Sequence, residues 1–322
     1  PVPHDAVFAA EEFPPALVPA IELGQSGKAP PALVHIGGGI LLLINVLMIF
    51  LGPRLTPGMG EPQATMFWMR LSLASVAVWW AVFSIPLFRH VKEPGRMAEE
   101  SEIGESVVKV GFQRFIKALK DISKFQDLFW FMLTFLVYSN GIGTIITMAA
   151  AFATDLGFGT MTVLGTFLMV QFVAAPFAIL FGNLVKKWGS KKAITVSLLI
   201  YTLVAILGFF MNQEWHFFVL GFGVAMVQGG SQALSRSLIG RLLPKSKSAE
   251  FYGFFSVAEK FNTVIGPAVM ALVTNITGSG RWGIVSLVVF FLVGIAMLQR
   301  VDIERGMQRA AEEDAKMIKL ES

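Results

Sequence analysis

Long uninterrupted apolar runs dominate the chain, and they do not show the alternating or three-to-four spacing of half-buried elements. Eight of them contain roughly 17 to 28 residues, enough to cross a hydrocarbon core of about 30 Å at 1.5 Å per residue. The predicted spans are Ala32–Gly52, Phe67–Phe88, Leu128–Ala153, Thr160–Val185, Ala193–Asn212, Trp215–Ser235, Ala249–Ile276 and Trp282–Leu298. The pattern therefore predicts an all-α polytopic membrane protein with eight transmembrane helices.

The amino-acid composition excludes several classes of protein and several kinds of site. The 322 residues are 54% hydrophobic and 15% charged, whereas an average soluble domain is about 45–50% apolar and about 25% charged. A soluble enzyme and a disordered protein are therefore excluded. The sequence has no cysteine, which removes disulfide frameworks, thiol catalysis and thiolate metal sites.

Basic residues lie in alternate connections between the predicted spans. They are concentrated in the connections after the second, fourth and sixth spans and in the tail, and the intervening connections contain almost none. Because positive residues favour the cytoplasmic side of a membrane, both termini are predicted to be cytoplasmic. An even number of spans requires the same result. The net charge of +4 is then explained by the basic cytoplasmic connections of a protein whose partner is the lipid bilayer, and binding to nucleic acid is not expected.

One charged connection divides the chain into two parts. Its beginning is acidic, and residues 108–124 place apolar side chains at three- and four-residue intervals among lysines and arginines, which predicts an amphipathic helix. This helix would lie in the lipid interface or pack beneath the bundle, and the sequence leaves both open. The predicted organisation is an N-terminal cytoplasmic segment (1–31), two helices (32–88), a cytoplasmic linker (89–127), six helices (128–299) and a cytoplasmic tail (300–322).

Polar side chains gather near the middle of several predicted spans. Such groups are costly in hydrocarbon, so they usually face a cavity or another helix. The candidate substrate-binding or coupling residues are Asn140, Gln171, Gln228, Ser231, Gln232, Glu259, Lys260 and Asn262. For the amides, hydrogen bonding between helices is the alternative role. The pairs Gly229–Gly230 and Gly266–Pro267 would loosen or bend their helices, as in the interrupted helices of secondary transporters.

Glu259 and Lys260 are the most informative of these residues. They are consecutive, so on a helix they point about 100° apart and cannot pair with each other. Each therefore needs its own partner, a water-filled cavity or a neutral form. The functional interpretation is solute binding or proton coupling at Glu259. The alternatives are a structural ion pair with another helix, and snorkelling by Lys260.

A basic turn follows the fourth predicted span and reads Gly182-Asn-Leu-Val-Lys-Lys-Trp-Gly-Ser-Lys-Lys192. It resembles the signature loop of the major facilitator superfamily, with a lysine where the family usually has aspartate. The matching positions are Gly182, Lys186, Lys187, Gly189, Lys191 and Lys192. The two glycines are expected to permit a tight turn.

Later motifs resemble the vacuole-effluxer branch of this superfamily, which contains an autophagy-related amino-acid effluxer and many bacterial permeases. They include Gln228-Gly-Gly-Ser-Gln-Ala-Leu-Ser-Arg-Ser237 and Tyr138-Ser-Asn-Gly141, which is similar to the branch's Y-N-D-G. The resemblance implies two halves of six helices. The last six spans match the C-terminal half and the first two match the end of the N-terminal half. A truncated transporter lacking four helices is therefore expected.

The expected function is secondary active transport of a small polar solute by alternating access in a bacterial cytoplasmic membrane. Amino acids are favoured by the resemblance alone, and a proton or ion is the candidate coupling partner. The alternative is a non-transporting structural or receptor-like membrane protein. No enzyme is expected, because zinc-protease, nucleophile-elbow and phosphate-loop motifs are absent. The four histidines are dispersed, so neither a metal nor a cofactor is expected.

Overall fold

The computed structural model describes residues 31–90, 110–111, 113, 116, 120–244 and 248–321. The predicted N-terminal segment and most of the predicted linker lie outside these residues, as does the side chain of the candidate Asn262. Every regular element within the described residues is helical. The chain separates into two compact units, Pro1–Ala98 and Glu99–Ser322.

The described part of the first unit is a pair of helices, α1 (Pro31–Leu55) and α2 (Glu61–His90). Midway along them, Ser75 Oγ donates a hydrogen bond to Asn45 Oδ1 at 2.7 Å. Near the turn, a Cβ at Gly52 would lie 2.1 Å from the indole of Trp68, so glycine allows the close approach of the two helices. A hydrogen bond between side chains and close packing at a glycine therefore hold α1 against α2.

The second unit consists mainly of long helices that pack side by side. In chain order they are α3 (Gln126–Asp155), α4 (Thr160–Trp188), α5 (Ser190–Phe209), α6 (Glu214–Leu242), α7 (Ser248–Thr277), α8 (Gly280–Gln299) and α9 (Ile303–Glu321). Before them, residues 120–122 are also helical, and Ile122 is buried in the core of the unit. This end of the predicted amphipathic helix therefore packs against protein.

Seven of these nine helices, α1 to α6 and α8, are long and apolar enough to cross a membrane. Helix α7 coincides with the predicted span Ala249–Ile276, and its described apolar stretch is Thr263–Thr277. Helices satisfy their own backbone hydrogen bonds, as the bilayer interior requires. The predicted all-α polytopic membrane fold is thus confirmed.

The end of α6 differs from the prediction in a way that affects the candidate site. The predicted span closes at Ser235, but the helix continues to Leu242. Its extension is held by Leu238 and Ile239, which are fully buried against the unit. Arg236, which the sequence places in the basic connection after the sixth span, is therefore a helical residue, and its side chain is exposed.

Polar contacts at the helix ends show that successive helices of this unit run antiparallel. At one end, Glu214 begins α6 and accepts hydrogen bonds from Gly159 N at 3.0 Å and Thr162 Oγ1 at 2.6 Å, both at the start of α4. At the same end, Arg281 near the start of α8 donates to the carbonyl oxygen of Phe209. This bond caps α5, which ends there and not at the predicted later residue.

At the opposite end, a buried carboxylate holds α9 against the bundle. Asp127, near the start of α3, accepts hydrogen bonds from Arg305 Nε at 2.8 Å and Nη2 at 2.6 Å. These bonds to Asp127 raise the pKa of the Arg305 guanidinium. Lys191, near the start of α5, donates to the carbonyl oxygens of Gln299 at 2.8 Å and Val301 at 3.0 Å. The C-terminal helix is therefore part of the folded unit.

We expect Asp127→Ala to release α9 from the bundle. The change removes hydrogen bonds to a charged group, which contribute about 1.5–3 kcal/mol, and the lower value applies because Arg305 is half-exposed. Limited trypsin cleavage after Arg305 and Arg309 should accelerate several-fold in detergent solution. Glu304→Ala, an exposed position on the same helix, is the control. Equal cleavage rates in wild type and Asp127→Ala would contradict the assignment.

Candidate functional site

A groove of about 140 Å³ with a largely apolar lining opens on the surface of the second unit between α3, α6 and α7. Its lining combines charged, hydroxyl, amide and apolar groups. The lining residues are Phe135, Tyr138, Ser139, Ile142, Gly143 and Thr147 of α3, Gln232 and Arg236 of α6, and Glu259, Thr263 and Pro267 of α7. These positions recur at three- and four-residue intervals, so each helix contributes one face to the groove.

An ion pair between two helices is the principal charged feature of the groove. Arg236 Nη2 donates to Glu259 Oε1 at 2.7 Å, and the side chains are 60% and 35% exposed. A guanidinium has five N–H donors and a carboxylate has two acceptor oxygens, so this single contact leaves capacity for a further ligand. Glu259 therefore forms the ion pair with another helix that the sequence left open as its alternative role. Both side chains of the pair also line the groove and are partly exposed in it.

The groove lies well inside the length of its helices. At 1.5 Å per residue, Glu259 is about 17 Å from the start of α7 and Ser139 is about 20 Å from the start of α3. Arg236 is about 9 Å from the end of α6 by the same measure. Glu259 and Ser139 therefore lie well inside their helices, whereas Arg236 is within two turns of the end of α6.

A buried hydroxyl pair fixes the wall formed by α3 and α6. The Tyr138 and Ser235 hydroxyl oxygens are 2.6 Å apart. Ser235 donates its own proton to the carbonyl oxygen of Ser231 at 2.7 Å, so Tyr138 is the donor in the pair. Ser235 precedes Arg236 in the chain, and the charged end of the groove is therefore level with Tyr138.

Asn140 lies behind the groove, where α3 crosses α7. Its side chain is buried, its Oδ1 accepts a hydrogen bond from Gly266 N at 3.0 Å, and its Nδ2 donates to the carbonyl oxygen of Leu136 at 2.7 Å. A Cβ on Gly266 would lie 2.6 Å from the backbone oxygen of Asn140. The amide thus makes the bond between helices that the sequence left open as its second role, next to the groove residue Pro267.

The predicted site residues separate into two groups. Glu259 and Gln232 line the groove. The remaining described candidates are the half-buried Gln171 and Gln228, the buried Ser231 and Asn140, and the exposed Lys260, which lie outside its lining. Among the described residues, no three histidine, aspartate or glutamate side chains come together as a metal site.

Sequence reasoning missed Arg236, Ser139, Thr147 and Thr263 as groove residues. The predicted sixth span ends at Ser235, so the hydropathy pattern places Arg236 in the basic connection that follows. The need of Glu259 for a cation on another helix was the signal that could have identified it. Ser139 precedes Asn140, and the two side chains point about 100° apart on α3. One therefore faces the groove and the other faces α7.

The signature loop is a connection of one residue. Helix α4 ends at Trp188, α5 begins at Ser190, and Gly189 between them has φ 78°, a left-handed conformation that favours glycine. Gly182 was expected to assist this turn, but it lies inside α4 because the helix continues beyond it. In the same loop, the side chains of Lys186, Lys187 and Lys192 are exposed, whereas Lys191 caps the end of α8.

Comparison with known proteins identifies relatives over most of the chain. The chain is 35% identical over 270 residues to the "Uncharacterized MFS-type transporter YxiO" of Bacillus subtilis, which covers 84% of the chain and 61% of the relative. It is 27% identical over 297 residues to "Autophagy-related protein 22-1" of Aspergillus niger, covering 86% of the chain and 47% of the relative. For "Autophagy-related protein 22" of Yarrowia lipolytica, the identity is 26% over 308 residues, covering 87% and 50%.

The chain therefore spans 61% of the bacterial relative and about half of the fungal ones. The model of a protein family described as "Vacuole effluxer Atg22 like" matches residues 31–311, which include α1 to α8 and part of α9. The family and the named relatives support the prediction that the chain is not an enzyme. On this match, the chain is an integral membrane protein that belongs to the Atg22-like vacuole effluxer family.

Proposed function

We propose that the full-length protein is a secondary active transporter of the major facilitator type that moves a small polar solute by alternating access. The groove between α3, α6 and α7 would form part of the solute path. The observation that carries this proposal is the Arg236–Glu259 ion pair, which joins α6 to α7 and is partly exposed in the groove. Ionisable residues within membrane-spanning helices mark substrate or ion pathways.

Amino acids are the proposed solute class. The guanidinium of Arg236 can bind a carboxylate through two parallel hydrogen bonds, and the carboxylate of Glu259 can accept from an ammonium group. Phe135 and Ile142 provide apolar surface in the same groove. The resemblance to amino-acid effluxers supports the same class.

Binding would exchange one ion pair for two. The solute carboxylate would bind Arg236 and the solute ammonium group would bind Glu259, so neither charged side chain loses its partner when the internal pair opens. Glu259 is also the proposed coupling residue, because a proton on its carboxylate would weaken the pair. We place the C-terminus in the cytoplasm, because Lys191, Arg305 and Arg309 lie at the end of the bundle that carries α9. The alternation of basic connections along the sequence favours the same side for the N-terminus, and the Bacillus relative favours a bacterial membrane.

The proposal predicts uptake of amino acids by proteoliposomes that contain the full-length protein. Radiolabelled glycine, alanine, leucine and phenylalanine should accumulate faster than in protein-free liposomes, and an imposed pH gradient should change the initial rate. Protein-free liposomes with the same gradient are the control. Folded, monodisperse protein that transports none of these solutes, with a pH gradient imposed in either direction, would contradict the proposal. That result would favour a structural or receptor-like membrane protein.

A further inference from the structure

We propose that Gly143 determines how large a solute side chain the groove accepts. This inference rests on the proposed function, because it concerns the solute that occupies the same groove. Gly143 lines the groove on the face of α3 that also carries Ser139 and Thr147. Its lack of a side chain leaves a wall of backbone at this point, where any other residue would project into the space.

Packing against the described residues does not account for this glycine. Two residues earlier, a Cβ at Gly141 would lie 2.6 Å from the ring of Phe291, so that glycine is needed for α8 to approach α3. A Cβ at Gly143 meets no described atom within 4 Å. Glycine is a poorer helix former than alanine, so the helix has a cost here without a packing benefit. Unlike Gly253, which also has open space around its Cβ, Gly143 borders the groove, so the space left by the missing side chain belongs to the groove.

The position of Gly143 along α3 relates it to the solute side chain and not to the charged groups. Tyr138 is level with the charged end, since its hydroxyl contacts Ser235, the neighbour of Arg236. Gly143 is five residues further along α3, about 7.5 Å at 1.5 Å per residue. An amino acid that binds the Arg236–Glu259 pair would extend only a long side chain as far as Gly143. Short side chains would not reach it.

The substitutions Gly143→Ala and Gly143→Val narrow the groove in two steps. Both residues fit a transmembrane helix, and the open space around the new Cβ predicts variants that fold normally. We expect the ratio of leucine to glycine uptake to fall about threefold for Ala and tenfold or more for Val, and the ratio for phenylalanine to fall further. Each ratio is taken against glycine uptake by the same variant.

The measurement is initial uptake of labelled glycine, alanine, leucine and phenylalanine by proteoliposomes of the full-length protein. Gly253→Ala is the matched control, because Gly253 is a helical glycine of α7 with open space around its Cβ and lies outside the groove lining. An equal change for all four solutes, or unchanged ratios, would overturn the role of Gly143 and leave the proposed function unaffected. Wild-type uptake restricted to glycine and alanine would do the same. Wild-type protein that transports none of the four would overturn the proposed function and this inference with it.

Discussion

Replacing Glu259 by glutamine is expected to lower amino-acid uptake by the full-length protein about 10- to 100-fold. A hydrogen bond to a charged group contributes about 1.5–3 kcal/mol, and each 1.4 kcal/mol corresponds to about a tenfold change. Arg236→Gln should have an effect of similar size, since it removes the donor for the solute carboxylate. Initial uptake by proteoliposomes is the measurement. The melting temperature should change little, because a partly exposed ion pair stabilises the fold by only about 0–1 kcal/mol.

The double variant Arg236→Gln/Glu259→Gln distinguishes solute binding from a purely structural pair. If the two side chains only hold α6 against α7, removing both charges relieves the unpaired charge of each single variant and uptake recovers. If they bind the solute, the double variant is at least as impaired as either single one. Recovery of uptake would therefore remove the carrier role of the pair.

Lys260→Gln is the matched control for these changes. Lys260 follows Glu259 on the same turn of α7, its side chain is exposed, and it lies outside the groove lining. We expect uptake within about twofold of wild type, because the two side chains point about 100° apart. A loss equal to that of Glu259→Gln would indicate that charge on this turn matters in general, and not through contact in the groove.

The hydrophobic pattern predicts the helices of this protein well, and it predicts their polar faces poorly. A long apolar run is sufficient to locate a span because the bilayer sets the required length. The end of α6 departs from this rule, since Arg236 interrupts the run while Leu238 and Ile239 continue to pack against the bundle. A window that scores hydropathy alone closes at the arginine, and it therefore assigns a groove residue to a loop.

Depth along a span can be read from the sequence, but the direction of a side chain depends on where the neighbouring helices lie. Ser139 and Asn140 have nearly equal depth, yet one lines the groove and the other bonds to Gly266. The role of a glycine in a span likewise depends on the neighbouring helices. The sequence predicted that Gly230 loosens α6, whereas a Cβ there would lie 2.2 Å from the ring of Phe181. Its role is close packing between α4 and α6.

Gly266→Ala is expected to disturb both stability and transport, because α3 and α7 are in close contact at this residue. The added Cβ would lie 2.0 Å from Thr144 Oγ1 and 2.6 Å from the backbone oxygen of Asn140. A backbone atom inside a helix cannot rotate away, so α7 has to move. Overpacking of this kind costs about 1–3 kcal/mol, and the displaced helix weakens the Asn140 to Gly266 hydrogen bond as well.

The same displacement should reach the groove, since α7 carries Glu259 and Thr263 into it from one face. We therefore expect a melting temperature lower by several degrees in detergent, together with uptake reduced about tenfold even in the folded fraction. Gly165→Ala is the control, because its Cβ would make ordinary contact with Phe218 at 3.5 Å in another transmembrane helix pair. If Gly266→Ala and Gly165→Ala behave alike in both measurements, the contact between α3 and α7 does not position the groove, and Asn140 serves only to pair two helices.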